Sequence, residues 1–463
     1  MATTARLIFS YQIKLIVSAS LPRYSSQKSQ SRGRRGLICL WLFWFLLMFF
    51  AQGAVSAFPG KIILINESTQ HDQKDVSLAS NKNDLVVAAW ISEGQDGELT
   101  GVFARFFEAD GFPLTSEFQV NSVYTHLQEE VKVKVGQNDV VAFVWESYWI
   151  EKMTSGGISA RLFDKWGHPL TSEFQVNQIS LGFQGNPDLA LDQLNNLVVV
   201  WESYLWGEQG VDIFLRKFDS QGNPLIDEIV VNEYQQGDQF SPCLALDKEG
   251  NFIVIWNSLS GESGVSGLYV RLFNKWCVPV TSDIKVTSSY YGLNQEAAVI
   301  YNEDVDQYIV VWSDYDPEDG GYDIFFQFIT KEGKLSGPRL RINRSDGNWN
   351  WHPVIASKPR GEFIIAWEKY QPEKNKSDIF FRVFASSGDS LSDEIQVVTD
   401  IDEQQQRPAV IFSRPKLWIA WTSKVGADQN IMASIMDLAT NLTKVKRKKP
   451  NINFRKKYEE ISD

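Results

Sequence analysis

Cysteine and histidine are scarce in this chain, with three and four residues among 463. A disulfide-stapled fold needs more cysteines, so an ordinary apolar core must supply the stability. His71, His126, His168 and His352 show no zinc-ligand spacing. No G-x-S-x-G elbow and no glycine-rich phosphate loop occurs, so there is no ready serine nucleophile or nucleotide cradle. After residue 58 no stretch sustains a helical period, which excludes a helix-rich fold. A basic surplus is missing too. Residues 58–443 carry 30 basic against 54 acidic residues, a net −24. Such a body repels nucleic acid and anionic lipid.

The positive charge lies at the two ends. Residues 1–36 hold seven Lys/Arg and no Asp or Glu, ending in "RGRRG". The apolar run "LICLWLFWFLLMFF" follows, Leu37–Phe50, and then small residues up to "VSA" at Val55–Ala57. A basic segment, an apolar run and a small-x-small site read as a secretory signal peptide cleaved after Ala57. The alternative is an uncleaved anchor, since apolar character persists to Phe58. Export to the periplasm, cell surface or medium is expected either way. Arg34-Arg35 also allows a twin-arginine route, which the strongly apolar run disfavours. The last twenty residues, "KVKRKKPNINFRKKYEEISD", carry eight bases and three acids and read as a solvated basic tail. The expected domains are a leader over 1–57, a folded body over 58–443 and the tail over 444–463.

Aromatics are abundant, 13% of the chain with 16 Trp, and seven of those Trp keep a period. An apolar-Trp phrase recurs at Trp90, Trp145, Trp201, Trp256, Trp312, Trp367 and Trp421, spaced 55, 56, 55, 56, 55 and 54 residues apart. Other features follow the same period. An apolar run with Arg comes about fifteen residues later ("SARLFDKWG", "FLRKFDSQG"), then a short strand ending in Asn or Thr ("EFQVN", "DIKVT"). A further strand ("PCLALD") precedes the next Trp. Each unit therefore has four short strands, a to d, rich in Val, Ile, Phe and Trp and bounded by turn residues. Apolar residues in succession mean strands buried on both faces. Four-stranded sheets stacked radially do this, and the count predicts an all-β, seven-bladed β-propeller of antiparallel blades. The seventh unit lacks a d strand, while "KIILIN", Lys61–Asn66, matches one. The N-terminal strand is therefore expected to close the last blade.

The cadence "VVWES … AR-FD--G-P … EFQVN … Q--P" resembles the tandem β-propeller repeats of proteins secreted by bacteria, across nearly all of residues 60–440. The resemblance implies architecture and leaves activity open. The c–d turns lack the S-x-D-x-G-x-x-W box of sialidase propellers.

In such a fold the d–a and b–c loops share one face, and the a–b and c–d turns the other. That separates Cys243, near the start of a strand a, from Cys277, in a c–d turn, and predicts two free thiols. Seven amides precede the a strands: Gln73, Gln128, Gln184, Gln239, Asn294, Asn350 and Gln405. An amide both donates and accepts, which suits satisfying a tight loop. Arg105, Arg161, Arg216, Arg271 and Arg382 recur in strand c and read as structural, paired with Glu146, Glu202 and Glu368.

Residues that break the repeat are the functional candidates. Tyr148, Trp149, Tyr204, Trp206, Tyr290, Tyr291, Trp349, Trp351 and Tyr370 fall in loop-face segments. Aromatic platforms of this kind stack on sugar rings or pack on peptide side chains. The loop Ser313–Asp323 supplies Asp314, Asp316, Glu318, Asp319 and Asp323. It reads as a solvated acidic turn, with calcium as the alternative, and it fails the EF-hand pattern because Asp319 stands where Gly is required. No cofactor is required by the sequence.

The expected function is an exported, monomeric binding module that holds a glycan or protein on its loop face. A glycoside-active hydrolase or lyase on the same face is the alternative, and a calcium-stiffened scaffold or adhesin a third. Carboxyls facing one another across the channel would favour the enzyme, and an aromatic rim without them would favour binding. Asn-x-Ser/Thr sequons stand at Asn66, Asn343, Asn375 and Asn441.

Overall fold

The computed structural model describes residues 60–437, except 98, 125–126, 149–155, 205–209, 260–265, 289–295, 319, 359–360, 400–402 and 426–427. All of them belong to the compact unit Val55–Asp463. The described residues are all-β apart from one short 3-10 turn at Gln137–Asp139. Strand β1 (Lys61–Leu64) stands before the repeats. The first unit is β2 (Gln73–Ser80), β3 (Leu85–Glu93), β4 (Thr100–Glu108) and β5 (Phe118–Gln119). The second is β6 (Leu127–Val135), β7 (Val141–Tyr148), β8 (Gly156–Phe163) and β9 (Phe174–Gln175). The third is β10 (Phe183–Leu191), β11 (Leu197–Tyr204), β12 (Val211–Phe218) and β13 (Ile229–Val230). The fourth is β14 (Asp238–Leu246), β15 (Phe252–Leu259), β16 (Gly267–Phe273) and β17 (Ile284–Ser288). The fifth is β18 (Ala297–Asn302), β19 (Gln307–Asp316), β20 (Gly321–Thr330) and β21 (Leu335–Arg341). The sixth is β22 (Trp349–Ser357), β23 (Phe363–Gln371), β24 (Lys376–Phe384) and β25 (Ile395–Gln396), and the last is β26 (Gln404–Ser413), β27 (Lys416–Val425) and β28 (Asp428–Asp437).

Each unit pairs antiparallel in strand order, the four-stranded sheet of a propeller-type fold. A single parallel pairing, Tyr322 with Trp349, joins the fifth and sixth units into one eight-stranded sheet. β1 adds antiparallel to β28, in the place a fourth strand takes elsewhere. The second strand of each unit is buried on successive residues, so both of its faces meet neighbouring sheets. Buried side chains cluster between units consecutive in sequence, and one cluster around Trp90 and Trp418 joins the first unit to the last. The fourth strands are mostly two residues long, which leaves little open edge.

The repeated polar residues have local jobs. The indole N–H of Trp90, Trp145, Trp201, Trp256 and Trp367 donates to the amide oxygen of Gln73, Gln128, Gln184, Gln239 and Asn350 at 2.7–3.2 Å. This satisfies a polar group in the middle of the core. The strand-ending asparagines act similarly: Asn121, Asn177, Asn232 and Asn343 accept a third-strand backbone N–H at 2.7–2.9 Å. Asn66 and Asn343 are buried, so neither of these two sequons presents its acceptor amide to solvent in the folded protein.

The strand-c arginines are structural, with a correction to their partners. They do not pair with Glu146, Glu202 or Glu368. The Nη1 atoms of Arg161, Arg216, Arg271 and Arg382 donate to Val120, Val176, Val231 and Ile342 carbonyls of the preceding unit at 2.6–2.9 Å. The guanidinium thus reaches back to the preceding unit, while Glu146, Glu202 and Glu368 bond forward to backbone N–H groups in the first strand of the next unit. Cys243 and Cys277 are both free. Cys243 lies mid-strand in β14 rather than at its start, with its thiol donating to the Ala297 carbonyl at 3.3 Å.

Candidate functional site

The first strand of six units breaks register at one place: Lys74/Ser77, Glu129/Lys132, Gly185/Asp188, Phe240/Cys243, Trp351/Val354 and Gln406/Ala409. Each is a β-bulge, which re-aims a side chain. The residue two positions after each amide sits in it with a left-handed backbone: Asp75 (φ 59°), Glu130 (50°), Asn186 (47°), Ser241 (52°), His352 (50°) and Arg407 (49°). Non-glycine residues adopt this conformation at a cost and cluster at functional sites. Glu296 holds the same repeat position in the fifth unit. The backbone form repeats at six of these seven positions while the chemistry does not: Asp, Glu, Asn, Ser, Glu, His and Arg.

These residues form one charged network with the glutamates that follow the core tryptophans. His352 Nδ1 lies 2.6 Å from Glu296 Oε2, and its Nε2 lies 3.9 Å from Glu368 Oε2. Arg407 Nη1 is 3.0 Å from Asp75 Oδ1 and 3.6 Å from Glu130 Oε1. The Arg407 backbone N–H donates to Glu368 Oε2 at 3.0 Å, and that of Ser241 to Glu202 Oε2 at 2.8 Å. Glu146 accepts from the Asn186 backbone N–H and from the Tyr148 hydroxyl.

The environment pushes these groups apart. Burial raises Glu146 from the usual 4.5 to about 8, outweighing its two hydrogen bonds, and the charges of Glu130 and Glu202 add to the shift. Burial likewise raises Glu202. Glu296 goes the other way: burial opposes its charge, but the His352 hydrogen bond and charge outweigh burial and hold it low. His352 is raised, because Glu296 and Glu368 overcome the burial that disfavours its cation. Glu146 and Glu296 are thus held in opposite senses, the kind of contrast that separates an acid from a base.

The sequence-selected aromatics divide. Trp149, Trp206, Tyr290 and Tyr291 lie outside the described residues. Trp349, Trp351 and Tyr370 come together, half-buried, with ring centroids 5.4–6.1 Å apart. Trp351 also lies 6.2 Å from His352, so this group borders the charged network. Tyr148 stacks on Phe183 at 5.4 Å, and Tyr204 pairs with Phe183 across β10 and β11.

The acidic loop is already occupied by arginine. Arg339 meets Asp314 at 3.1 Å, and Arg341 meets Asp316 at 3.1 Å and Asp323 at 2.8 Å. Glu318 is exposed, and Asp319 lies outside the described residues. Among the described residues no group of three His, Cys, Asp or Glu is placed to hold a metal ion. On the opposite face the a–b turns line a polar cavity of about 370 Å³, with Asn83, Asn138, Gln193, Lys248 and Tyr301 in its wall.

Sequence reasoning singled out the aromatic loops and missed Asp75, Glu130, Glu296, His352 and Arg407 as a set. The signal was available: they stand two residues after each amide and differ from unit to unit.

No protein-family model matches the chain, and no curated protein matches it. Solved structures with a similar fold include a protein of unknown function from Dyadobacter fermentans, 10% identical, TM-score 0.45, covering 83% of this chain and all of that one. Another is the GH93 α-L-arabinofuranosidase of Fusarium graminearum with arabinobiose, 13% identical, TM-score 0.49, covering 69% of this chain and 96% of that one. A third is the phage phi92 endosialidase, 10% identical, TM-score 0.48, covering 88% of this chain and 72% of that one. All three TM-scores fall below 0.5, and neither enzyme's activity is carried over to this chain.

Proposed function

We propose that this protein is an exported, glycoside-active enzyme on a seven-bladed β-propeller, with its site at the loop-face end of the first strands. Support for the blade count is the seven core tryptophans, each with its own strand set. Support for closure through β1 is its pairing with β28 and the core shared by the first and last units.

The observation that carries the activity is the convergence of unlike side chains at one repeat position, with carboxyls in contrasting electrostatic states. Glycoside hydrolysis needs a carboxylic acid that is protonated at working pH and a second carboxylate that is not. Glu146, raised to about 8, is the acid that delivers a proton to the leaving-group oxygen. The Tyr148 hydroxyl donates to it and holds its orientation. Glu130, in the β6 bulge, near enough for its charge to act on Glu146 and 3.6 Å from Arg407, is the group placed to serve as nucleophile or water-activating base. Trp349, Trp351 and Tyr370, which reach the network through His352, form the sugar platform.

The test is a panel of aryl glycosides and natural oligosaccharides with wild-type protein and Glu146→Gln. Turnover that Glu146→Gln abolishes supports the enzyme. A second reading, a glycan-binding module, is favoured by the aromatic group alone. It would be indicated by sugar binding that requires Trp349 and Trp351, with no turnover on any substrate.

A further inference from the structure

The turn face of the first four units carries large apolar side chains in water. Trp166 is 63% exposed, Trp276 68% and Phe112 63%, all in c–d turns. Three residues after each turn's Gly111, Gly167, Gly222 or Cys277 stands Leu114, Leu170, Leu225 or Val280, 46–55% exposed. At that position the fifth unit has Ser336 and the sixth has Leu391, which packs on the core. At the position of Trp166 and Trp276 the other turns have Asp110, Gln221, Glu332 and Ser387. The aliphatic residue therefore follows the repeat, while Trp166, Trp276 and Phe112 do not, and the exposed apolar arc lies in the first four units. Each of these aromatics shares its turn with an exposed aliphatic side chain, Leu114, Leu170 or Val280, so the exposed apolar surface of the turn is larger than one residue.

Each exposed Trp carries a lysine. Lys165 Nζ sits 4.9 Å over the Trp166 ring, and Lys275 Nζ 4.6 Å over that of Trp276. Indole with an adjacent long cation suits a membrane–water interface: the ring lies at headgroup level and the ammonium reaches water or phosphate. The first and last described strands begin and end at the same face. β1 begins there, with Lys61 Nζ donating to the Asp110 carbonyl of the first c–d turn at 3.0 Å. In sequence, Lys61 follows the apolar run ending at Phe50 by eleven positions. β28 ends there, with Asp437 paired to Lys416 beside an a–b turn, and the basic run starting at Lys444 follows in sequence.

We propose that this arc docks on a lipid bilayer, with Trp166, Trp276 and Phe112 at headgroup depth and the loop-face site turned to solvent. The body's net −24 disfavours an anionic surface, so the contact rests on the uncharged arc and forms on zwitterionic lipid.

The test is hydroxyl-radical footprinting of the full chain with and without phosphatidylcholine vesicles, read residue by residue by mass spectrometry. The expected result is a severalfold fall in oxidation of Trp166 and Trp276 on adding vesicles, with Trp349 and Tyr370 unchanged. A Trp166→Ser/Trp276→Ser variant should lose vesicle protection of the neighbouring Lys165 and Lys275 toward an amine-reactive label. Equal oxidation of Trp166 and Trp276 with and without vesicles would overturn the proposal, wherever the N-terminal segment lies. So would protection that appears without vesicles and grows with protein concentration, which would assign the arc to a second copy of the chain.

Discussion

The side-chain oxygen of Asn66 accepts the backbone N–H of Ile431 at 2.8 Å, across 365 residues of sequence. Asn121, Asn177, Asn232 and Asn343 make the same bond within their own units. Asn66 thus does for the last unit what a fourth-strand asparagine does elsewhere. Its amide also donates to Asn430 Oδ1 at 2.8 Å.

The proposed closure through β1 predicts a measurable loss. Asn66→Ala leaves the buried Ile431 N–H unsatisfied and should cost about 1–3 kcal/mol. Removing residues 58–66 should lower the melting temperature further, because β28 would then present an unpaired edge. Thermal unfolding followed by circular dichroism checks both, and unchanged curves would refute closure at this seam.

A second stability prediction concerns the core amides. Gln128→Leu strands the indole N–H of Trp145, which is fully buried and bonded to Gln128 at 2.7 Å. The expected loss is again about 1–3 kcal/mol. Gln405 is the contrast. Its oxygen accepts from the Ile379 backbone instead, and Trp421 Nε1 has no hydrogen-bond partner. Gln405→Leu should therefore act through Ile379 and leave the Trp421 environment, read by near-ultraviolet dichroism, nearly unchanged.

Stability should fall on the alkaline side. Glu146 binds its proton more tightly folded than unfolded, so its contribution is complete below about 4.5 and is lost as pH rises through about 8. His352, also raised, contributes below its unfolded value near 6.5 and loses that contribution as pH rises through its folded value. Glu296 has the opposite sign: its contribution is present above 4.5 and lost on acidification through its lowered folded value. Denaturant midpoints measured from pH 5 to 9 should decline. Glu146→Gln should flatten that decline, since glutamine keeps the shape without a titrating proton.

The acidic loop should be indifferent to calcium. Arg339 and Arg341 already neutralise Asp314, Asp316 and Asp323, so an ion must displace guanidinium groups to gain carboxylate ligands. Chelation should leave the melting temperature unchanged. Arg341→Ala should create calcium-dependent stabilisation where the wild type has none.

The regular Trp spacing made the strand order and the sheet composition legible in the sequence, and the likeness of Lys61–Asn66 to a fourth strand pointed to the last unit, where β1 pairs with β28. These are local periodicities, and a repeat writes them several times. The site was harder because its residues are distant in sequence and meet only when the first strands converge. His352 and Glu296 are 56 positions apart, and Arg407 and Asp75 are separated by most of the chain. Their bulge position could be counted from the amides, but the contrast between Glu146 and Glu296 depends on burial and neighbours that no spacing encodes. The arginines show the converse. Their regularity marked them as structural, while their partners, carbonyls of the adjacent sheet, needed the fold.

The most direct test of the central claim compares wild type and Glu146→Gln on glycosides whose leaving groups differ in basicity. If Glu146 is the proton donor, the variant should lose about 10²-fold or more on basic leaving groups and much less on activated aryl groups. The wild-type rate should fall as pH rises through about 8, a limb that the variant should lack. Uniform activity across leaving groups in the variant, or no hydrolysis of any glycoside by folded wild-type protein, would contradict it.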